Sequence, residues 1–168
     1  CFRDMNLVEL IIFLDDVLIH AETLEELEER TIKVLERLRR FKLKLDPDKC
    51  VFCATEVKHL GFLISGEGIR PDPEKTEALR SWPVPTTVKE VKAFVGFAGY
   101  YRRFVSHFSH MAKPLNDLTI GYIPRGSAKK GGKIPTLTLS SSITHLWGDR
   151  EQKAFDLLIK ALTSEPIL

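Results

Sequence analysis

The sequence has 168 residues, of which 43% are hydrophobic and 29% are charged, and its formal net charge is +2 at pH 7. This length is sufficient for one domain or for two small domains with a modest core each. No signal peptide, membrane-spanning segment or targeting motif is visible, and three cysteines do not make a disulfide framework, which favours a reducing compartment.

Charge is distributed unevenly along the chain. Residues 1–30 contain nine acids and two bases, a net charge of −7, so the remainder carries +9. Residues 89–133 contain nine bases and two acids, and aromatic residues lie among them. The second half therefore suits contact with a polyanion such as a nucleic acid, although a solvated basic surface without a partner would have the same composition.

The stretch IIFLDDVLIH, residues 11–20, places Asp15 and Asp16 between two runs of β-branched or bulky residues. Such runs suit strands, so we predict a hairpin of two buried strands with the acidic pair exposed at its tip. Two interpretations of the pair are open at this point. It is either simple turn chemistry or a divalent metal site, because two fixed carboxylates repel each other until a cation joins them.

Residues 22–41 predict a helix with acids in its first turns, bases at its end and a capping box of Thr23 and Glu26. Its apolar stripe is expected to consist of Leu24, Leu27, Val34, Leu35, Leu38 and Phe41. The following FKLKLDPDKCVFC predicts a strand, a turn at residues 46–48 and another extended run. Cys50 and Cys53 lack two further well-placed zinc ligands, so half-buried or buried thiols in a strand are expected.

Residues 57–69 predict a hairpin with a strand VKHLGFLI, a turn at residues 65–68 and a return at Ile69. Asp72 and Pro73 fit the start of a short helix that ends before Pro83. Thr87 and Glu90 fit a second capping box, which opens one longer helix over residues 88–108. The chain thus changes from strands with one helix to helices alone near residue 70.

Valine and alanine form one apolar stripe on this longer helix, at Val88, Val91, Val95 and Ala98. Most of its aromatic residues are expected in a helical core rather than against bases; they are Phe94, Phe97, Tyr100, Tyr101, Phe104 and Phe108. Gly96 and Gly99 weaken a helix, so they are expected to allow close packing or close backbone approach.

Residues 119–146 are rich in Gly, Ser, Thr and Lys and predict a flexible insertion, or a loop with one short strand. The last part of the chain predicts a helix that is stopped by Pro166. One face of that helix is expected to carry Phe155, Leu158, Ile159 and Leu162.

Five blocks follow one another in order: FLDD, LDPDKC, VKHLGFLISGEGIRPDPEK, SWPVPTTVKEVKAFVGFAGYYRRFV and REQKAFDLLIKALTSEPIL. Together they resemble the reverse transcriptase of gypsy-type long-terminal-repeat retrotransposons, from the late palm through the thumb. The resemblance implies an α+β fold, in which a partial palm with antiparallel hairpins and one long helix precedes an all-helical thumb. The expected divisions are palm 1–70, thumb 71–118, insertion 119–146, and a helix in 147–168 leading to the connection and ribonuclease H region.

The resemblance assigns a catalytic task to the acidic pair. In this family the first aspartate of a Y-x-D-D box, matching Asp15, binds two catalytic magnesium ions, and Asp16 completes the box and shapes the site. Phe13 takes the aromatic position usually held by tyrosine, against the incoming nucleotide and the primer end. The family supplies a further aspartate from a palm strand upstream of residue 1, so this segment alone is expected to be inactive.

The resemblance also implies contacts with a template–primer duplex. VKHLGFLIS matches the primer grip, in which Leu60, Gly61 and Phe62 would contact the primer and Gly61 would permit close backbone approach. An ordinary hairpin with a glycine bulge is the alternative, and His59 is expected at the hairpin surface. Phosphates of the duplex would be contacted by Lys89, Lys92, Arg102 and Arg103.

Two classes of function follow. The first is part of an RNA-directed DNA polymerase with Mg²⁺, an RNA/DNA template–primer and deoxynucleoside triphosphate, joined in one polyprotein to upstream fingers and palm and downstream ribonuclease H. It implies an intracellular location, in cytoplasmic virus-like particles and the nucleus, without a membrane. The alternative is a non-catalytic nucleic-acid-binding remnant or domesticated module.

Overall fold

The computed structural model describes residues 1–122 and 137–164. Within these ranges the chain forms five β-strands and five α-helices, so the predicted α+β class is confirmed. The chain divides into two compact units, Cys1–His59 and Leu60–Leu168. This division precedes the boundary expected at residue 70, because Phe62 of the intervening hairpin packs against the core of the second unit.

The acidic stretch forms the predicted hairpin. Strand β1 (Leu10–Phe13) pairs antiparallel with β2 (Asp16–Ile19), and Phe13 lies opposite Asp16. Leu10 is fully buried, whereas Ile11 and Phe13 are 37% and 51% exposed. Since side chains alternate between the two faces of a strand, only one face is covered, and the prediction of two buried strands is wrong.

Helix α1 (Leu24–Arg40) begins at the predicted N-cap, where the Thr23 hydroxyl accepts a hydrogen bond from the Glu26 amide. The Glu26 carboxylate accepts from the Glu22 amide, so the predicted capping box with Thr23 forms only in half. Val34 and Leu38 of the predicted stripe are buried with three residues of the N-terminal segment and hairpin, Phe2, Met5 and Leu10. The predicted stripe is only partly confirmed, because three of its residues are exposed: Leu24, Leu35 and Phe41.

The strand predicted in FKLKL does not form. Residues 43–46 have no regular structure, and Pro47–Lys49 is a 3-10 helix capped by the Asp46 carboxylate. The alternation of FKLKL is that of a strand, but a strand also needs a neighbouring backbone, and none pairs with it in the described part of the chain. Cys50 is half-buried and Cys53 is exposed, both outside strands, so the prediction for these thiols is only partly confirmed.

The strand predicted as VKHLGFLI is interrupted in its middle. Strand β3 (Glu56–His59) ends before Leu60, and β4 (Phe62–Ser65) begins after Gly61. These two residues have φ values of 51° and 76°, which cannot continue an extended strand. Strand β4 then pairs antiparallel with β5 (Gly68–Pro71) around the predicted turn.

Capping signals locate the first two helices of the second unit correctly. Helix α2 (Pro73–Arg80) follows the N-cap Asp72, whose carboxylate accepts from the Glu74 amide. Helix α3 (Val88–Tyr100) opens with the complete predicted capping box. The prediction of one helix to residue 108 is wrong, because a 3-10 helix, Arg102–Phe104, and the left-handed His107 separate α3 from α4 (Phe108–Asp117).

The core of the second unit is formed by helices α2 to α5, the last being Asp149–Thr163. Three of the four residues predicted on the inner face of α5 are buried, and Ile159 packs beside them. Ile143 is also fully buried, and its amide donates to the Thr86 carbonyl. Residues 137–146 of the predicted insertion therefore pack on this unit, whereas residues 123–136 and Pro166 lie outside the described residues. No helix in the described ranges is long and apolar enough to span a membrane.

Candidate functional site

The acidic pair lies at the tip of the β1–β2 hairpin. Asp15 shares a two-residue turn with Leu14, and Asp16 is the first residue of β2. Both aspartates are exposed. Leu14 has a φ of 54°, a left-handed conformation that is uncommon for a residue with a side chain. Strained backbone of this kind clusters at functional sites, and here it sets the turn that presents both carboxylates to solvent.

Phe13 and Asp16 form a directly opposed pair across the hairpin. Side chains of such a pair lie on the same face, about 4.5–5.5 Å apart at Cβ. This face is the one opposite the small core that buries Leu10. The aromatic ring and the carboxylate are therefore accessible together, as contact with a nucleotide would require.

The chemistry of the two aspartates fits Mg²⁺, which prefers hard oxygen ligands. They supply only part of a ligand set, because no group of three His, Cys, Asp or Glu side chains that could hold a metal ion occurs in the described residues. Asp4, an acidic residue of the same unit, is engaged elsewhere. Its hydrogen bond with the Arg37 guanidinium holds the pKa of this carboxyl below its usual value, so Asp4 belongs to a structural ion pair.

The turn between β3 and β4 is held by two adjacent tyrosines of α3 and its C-cap. The Tyr100 hydroxyl donates to the Leu60 carbonyl at 2.6 Å, and the Tyr101 hydroxyl donates to the Gly61 carbonyl at 3.2 Å. The Gly61 carbonyl also accepts from the Asp72 amide at 2.9 Å. A Cβ at Gly61 would lie 3.0 Å from the Tyr101 hydroxyl oxygen, so this side chain packs closely against the glycine.

Phe62 joins this turn to an aromatic cluster. Its ring stacks on Tyr100 with centroids 5.2 Å apart and meets the edge of Tyr101 at 5.6 Å. Burial, with the nearby Tyr100 and Asp72, raises the pKa of Tyr101 above its ordinary value. The prediction that most aromatics of this region are core is confirmed, but Tyr100 is 53% exposed. The sequence reasoning missed the hydroxyl contacts, for which the adjacent pair Tyr100–Tyr101 among phenylalanines was the available signal.

The four predicted phosphate contacts are all exposed; they are Lys89, Lys92, Arg102 and Arg103. The Lys92 ammonium lies 5.0 Å from the centroid of the Tyr122 ring, a cation–π geometry that favours its position on α3. Gly96 lies on the exposed surface of the same helix, and a Cβ there would meet no atom within 4 Å. The prediction that Gly96 serves close packing is therefore wrong for the described structure.

His59 and the cysteine pair contribute less to the candidate site. His59 is half-buried, and its Nε2 is buried without a hydrogen-bond partner among the described residues, so its predicted place at the hairpin surface is only partly confirmed. The Cys50 thiol donates to the Asp46 carbonyl at 3.2 Å. Neither cysteine belongs to a candidate metal site in the part of the chain that is described.

Comparisons with known proteins find relatives that match both units of the chain. Residues 1–64 match the sequence model of the family described as reverse transcriptase (RNA-dependent DNA polymerase). The Pol polyprotein of transposon 297 of Drosophila melanogaster is 39% identical over 158 residues, and that of transposon gypsy of the same organism is 31% identical over 157. Each alignment covers 94% of this chain but only 13% and 14% of the relatives' own lengths.

A solved structure shares the fold. The foamy viral protease–reverse transcriptase in complex with double-stranded DNA superposes with a TM-score of 0.76 at 23% identity, over 95% of this chain and 25% of that one.

The sequence matches show that this chain belongs to the reverse transcriptase family. Its relatives place it more particularly among the reverse transcriptases of long-terminal-repeat retrotransposon Pol polyproteins, as the sequence resemblance predicted.

Proposed function

We propose that this chain is the late-palm and thumb segment of an RNA-directed DNA polymerase that extends a primer by nucleotidyl transfer. The observation that carries the proposal is the position of Asp15 and Asp16 at an exposed hairpin tip, within the residues that match the family. In this proposal the two aspartates hold Mg²⁺, and the Phe13 ring on the same hairpin lies against the nucleotide and the primer end.

Each part of the segment has a separate task in the proposed reaction. When bound, magnesium ions lower the pKa of the primer 3′-hydroxyl and stabilise the charge on the reacting phosphates. The hairpin of Asp15 fixes the position of the carboxylates, and the exposed bases of the second unit neutralise phosphates of the template–primer duplex. Upstream fingers and palm and a downstream ribonuclease H in the same polyprotein complete the proposed intracellular enzyme.

The test is primer extension by this chain joined to the upstream fingers and palm of the same gene. We expect Asp15→Asn to lower nucleotide incorporation by more than about 100-fold. Loss of a group that only hydrogen-bonds to a metal ligand costs up to about 100-fold, and loss of the ligand itself should cost more. Asp48→Asn is the matched control, because it removes an exposed carboxylate from a 3-10 helix of the same unit. Equal incorporation by the two variants would make the catalytic assignment wrong.

A second candidate is a nucleic-acid-binding module without catalysis. It is favoured by the partial ligand set, since Asp15 and Asp16 are joined by no third metal-ligating side chain in the described residues. We expect this chain alone to bind duplex with a strong dependence on salt and without nucleotide incorporation. If the enzyme with its upstream part restored is also inactive while duplex binding persists, the second candidate is the better one.

A further inference from the structure

The turn of Leu60 and Gly61 has a backbone conformation that glycine alone does not explain. Both residues have positive φ, and Leu60 has a side chain, so its left-handed conformation is disfavoured. Such backbone persists only when its surroundings hold it in place. The surroundings that do so include the two tyrosine hydroxyls that donate to the carbonyls of the turn. We call these two hydrogen bonds the tyrosine clamp.

The clamp joins the turn to the helical part of the second unit. Tyr100 is the last residue of α3 and Tyr101 is its C-cap, and the Phe62 ring stacks on Tyr100 directly after the turn. Tyr101 is only 3% exposed, so its hydroxyl is fixed by packing. Tyr100 is 53% exposed, so the clamp also lies at a surface that a bound molecule can reach.

We propose that Tyr100 and Tyr101 are positioning residues for the primer, because they hold the Leu60–Gly61 turn on α3 through its carbonyls. This inference rests on the proposed function, in which the turn contacts the primer 3′ end. A displaced primer end reacts slowly even when the duplex is bound, because nucleotidyl transfer depends on the alignment of the attacking oxygen. Loss of the clamp therefore lowers the rate of incorporation and leaves the affinity for duplex and nucleotide nearly unchanged.

The kinetic test uses Tyr100→Phe and Tyr101→Phe in the enzyme with its upstream part restored. Phenylalanine keeps each ring and removes only the donor. We expect each variant to lower kcat for addition of one nucleotide about fivefold, the factor that corresponds to one hydrogen bond. The KM for nucleotide and the Kd for duplex should stay within about twofold of the unsubstituted enzyme. Tyr122→Phe is the matched control, since it removes a tyrosine hydroxyl from the same unit and keeps the ring beside Lys92.

A second measurement tests the tyrosine clamp in this chain alone and does not require catalysis. The Asp72 amide donates to the Gly61 carbonyl, so its hydrogen exchange reports opening of the turn. We expect exchange of this amide to be about fivefold faster in Tyr101→Phe and unchanged in Tyr122→Phe.

The outcomes separate this inference from the proposed function. Unchanged exchange of the Asp72 amide, or faster exchange with unchanged kcat, would overturn the positioning role. Equal losses of kcat and duplex affinity would also overturn it, because they would indicate a structural effect alone. If the unsubstituted enzyme incorporates no nucleotide, the proposed function fails, and the exchange measurement still decides whether the clamp holds the turn.

Discussion

The two compact units bury very different shares of their apolar side chains. Five hydrophobic residues form the core of Cys1–His59, whereas fifteen form the core of the unit that begins at Leu60. In the described residues, thirteen large hydrophobic side chains are exposed in the first unit and seven in the second. The acidic hairpin is thus carried by a small core with one open face, while the helical unit has enough buried surface to support its own fold.

The largest expected effect comes from removing the central ring of the larger core. Phe94 is fully buried, and its ring centroid lies 4.5 Å from that of Phe155. We expect Phe94→Ala to lower the free energy of unfolding by about 3–5 kcal/mol. Phe41→Ala, at a ring of the first unit that is 54% exposed, should change it by no more than about 0.5 kcal/mol.

Chemical denaturation followed by circular dichroism measures both variants. Tryptophan fluorescence isolates the second unit, because Trp82 and Trp147 both lie there. A loss at Phe41 as large as the loss at Phe94 would show that the first unit buries more apolar surface than the structure indicates.

A smaller effect is expected at the turn of the second unit. Gly61 has a φ of 76°, and an added Cβ would crowd the Tyr101 hydroxyl at 3.0 Å. We expect Gly61→Ala to lower the free energy of unfolding by about 1–2 kcal/mol, the cost of a left-handed residue with a side chain. Gly66→Ala is the control, since its Cβ would meet no atom within 4 Å and its φ lies outside the left-handed region. Equal stabilities of the two variants in denaturant would contradict the geometry of the turn.

The smallest expected effect is a pH dependence at the start of α3. Hydrogen bonds from the backbone and side chain of Thr86 lower the pKa of Glu90 below its ordinary value of 4.5. The folded state therefore favours the ionised carboxylate, and this contribution to stability is present above pH 4.5 and is lost as the pH falls through the lowered pKa.

Thermal unfolding monitored by tryptophan fluorescence tests this contribution in the second unit. On acidification from about pH 5 to about pH 3, the unsubstituted chain should lose more stability than Glu90→Gln. Glu67→Gln, at an exposed turn residue, should retain the acid sensitivity of the unsubstituted chain. A Glu90→Gln variant with the same pH profile as the unsubstituted chain would exclude this contribution of the Glu90 carboxylate.

Local signals in the sequence predicted the parts of the fold that depend on neighbouring residues. The capping box at Thr87, the N-cap Asp72 and the hairpin tip of Asp15 are such features, because each depends on a few side chains close in sequence. Features that depend on distant partners were missed. FKLKL alternates as a strand does but lacks a pairing strand among the described residues, and the Leu60–Gly61 turn is held by tyrosines forty positions away.

The end of α3 is another feature that the sequence pattern did not predict. No proline interrupts residues 88–108, and apolar and aromatic residues continue past Tyr100, so the pattern contains no marker for the break that follows this residue. The residue that precedes α4 in a left-handed conformation is His107 and not a glycine, so the sequence gives no signal for it. The tyrosine clamp has no local signal of this kind, because only the fold brings its two hydroxyls to its two carbonyls.

We propose that the hairpin carries the chemistry and the helical unit binds the duplex. The most direct test measures catalysis and duplex affinity for two variants of the enzyme with its upstream part restored. We predict that Asp15→Asn lowers nucleotide incorporation by more than about 100-fold and leaves the Kd for duplex unchanged. Replacing Lys89 and Lys92 by Gln should weaken duplex binding, reduce the slope of log K against log salt by about 0.9 for each lost phosphate contact, and preserve kcat. Incorporation that is unchanged in Asp15→Asn, or that is lost equally in both variants, would contradict the assignment of chemistry to the hairpin and duplex binding to the helical unit.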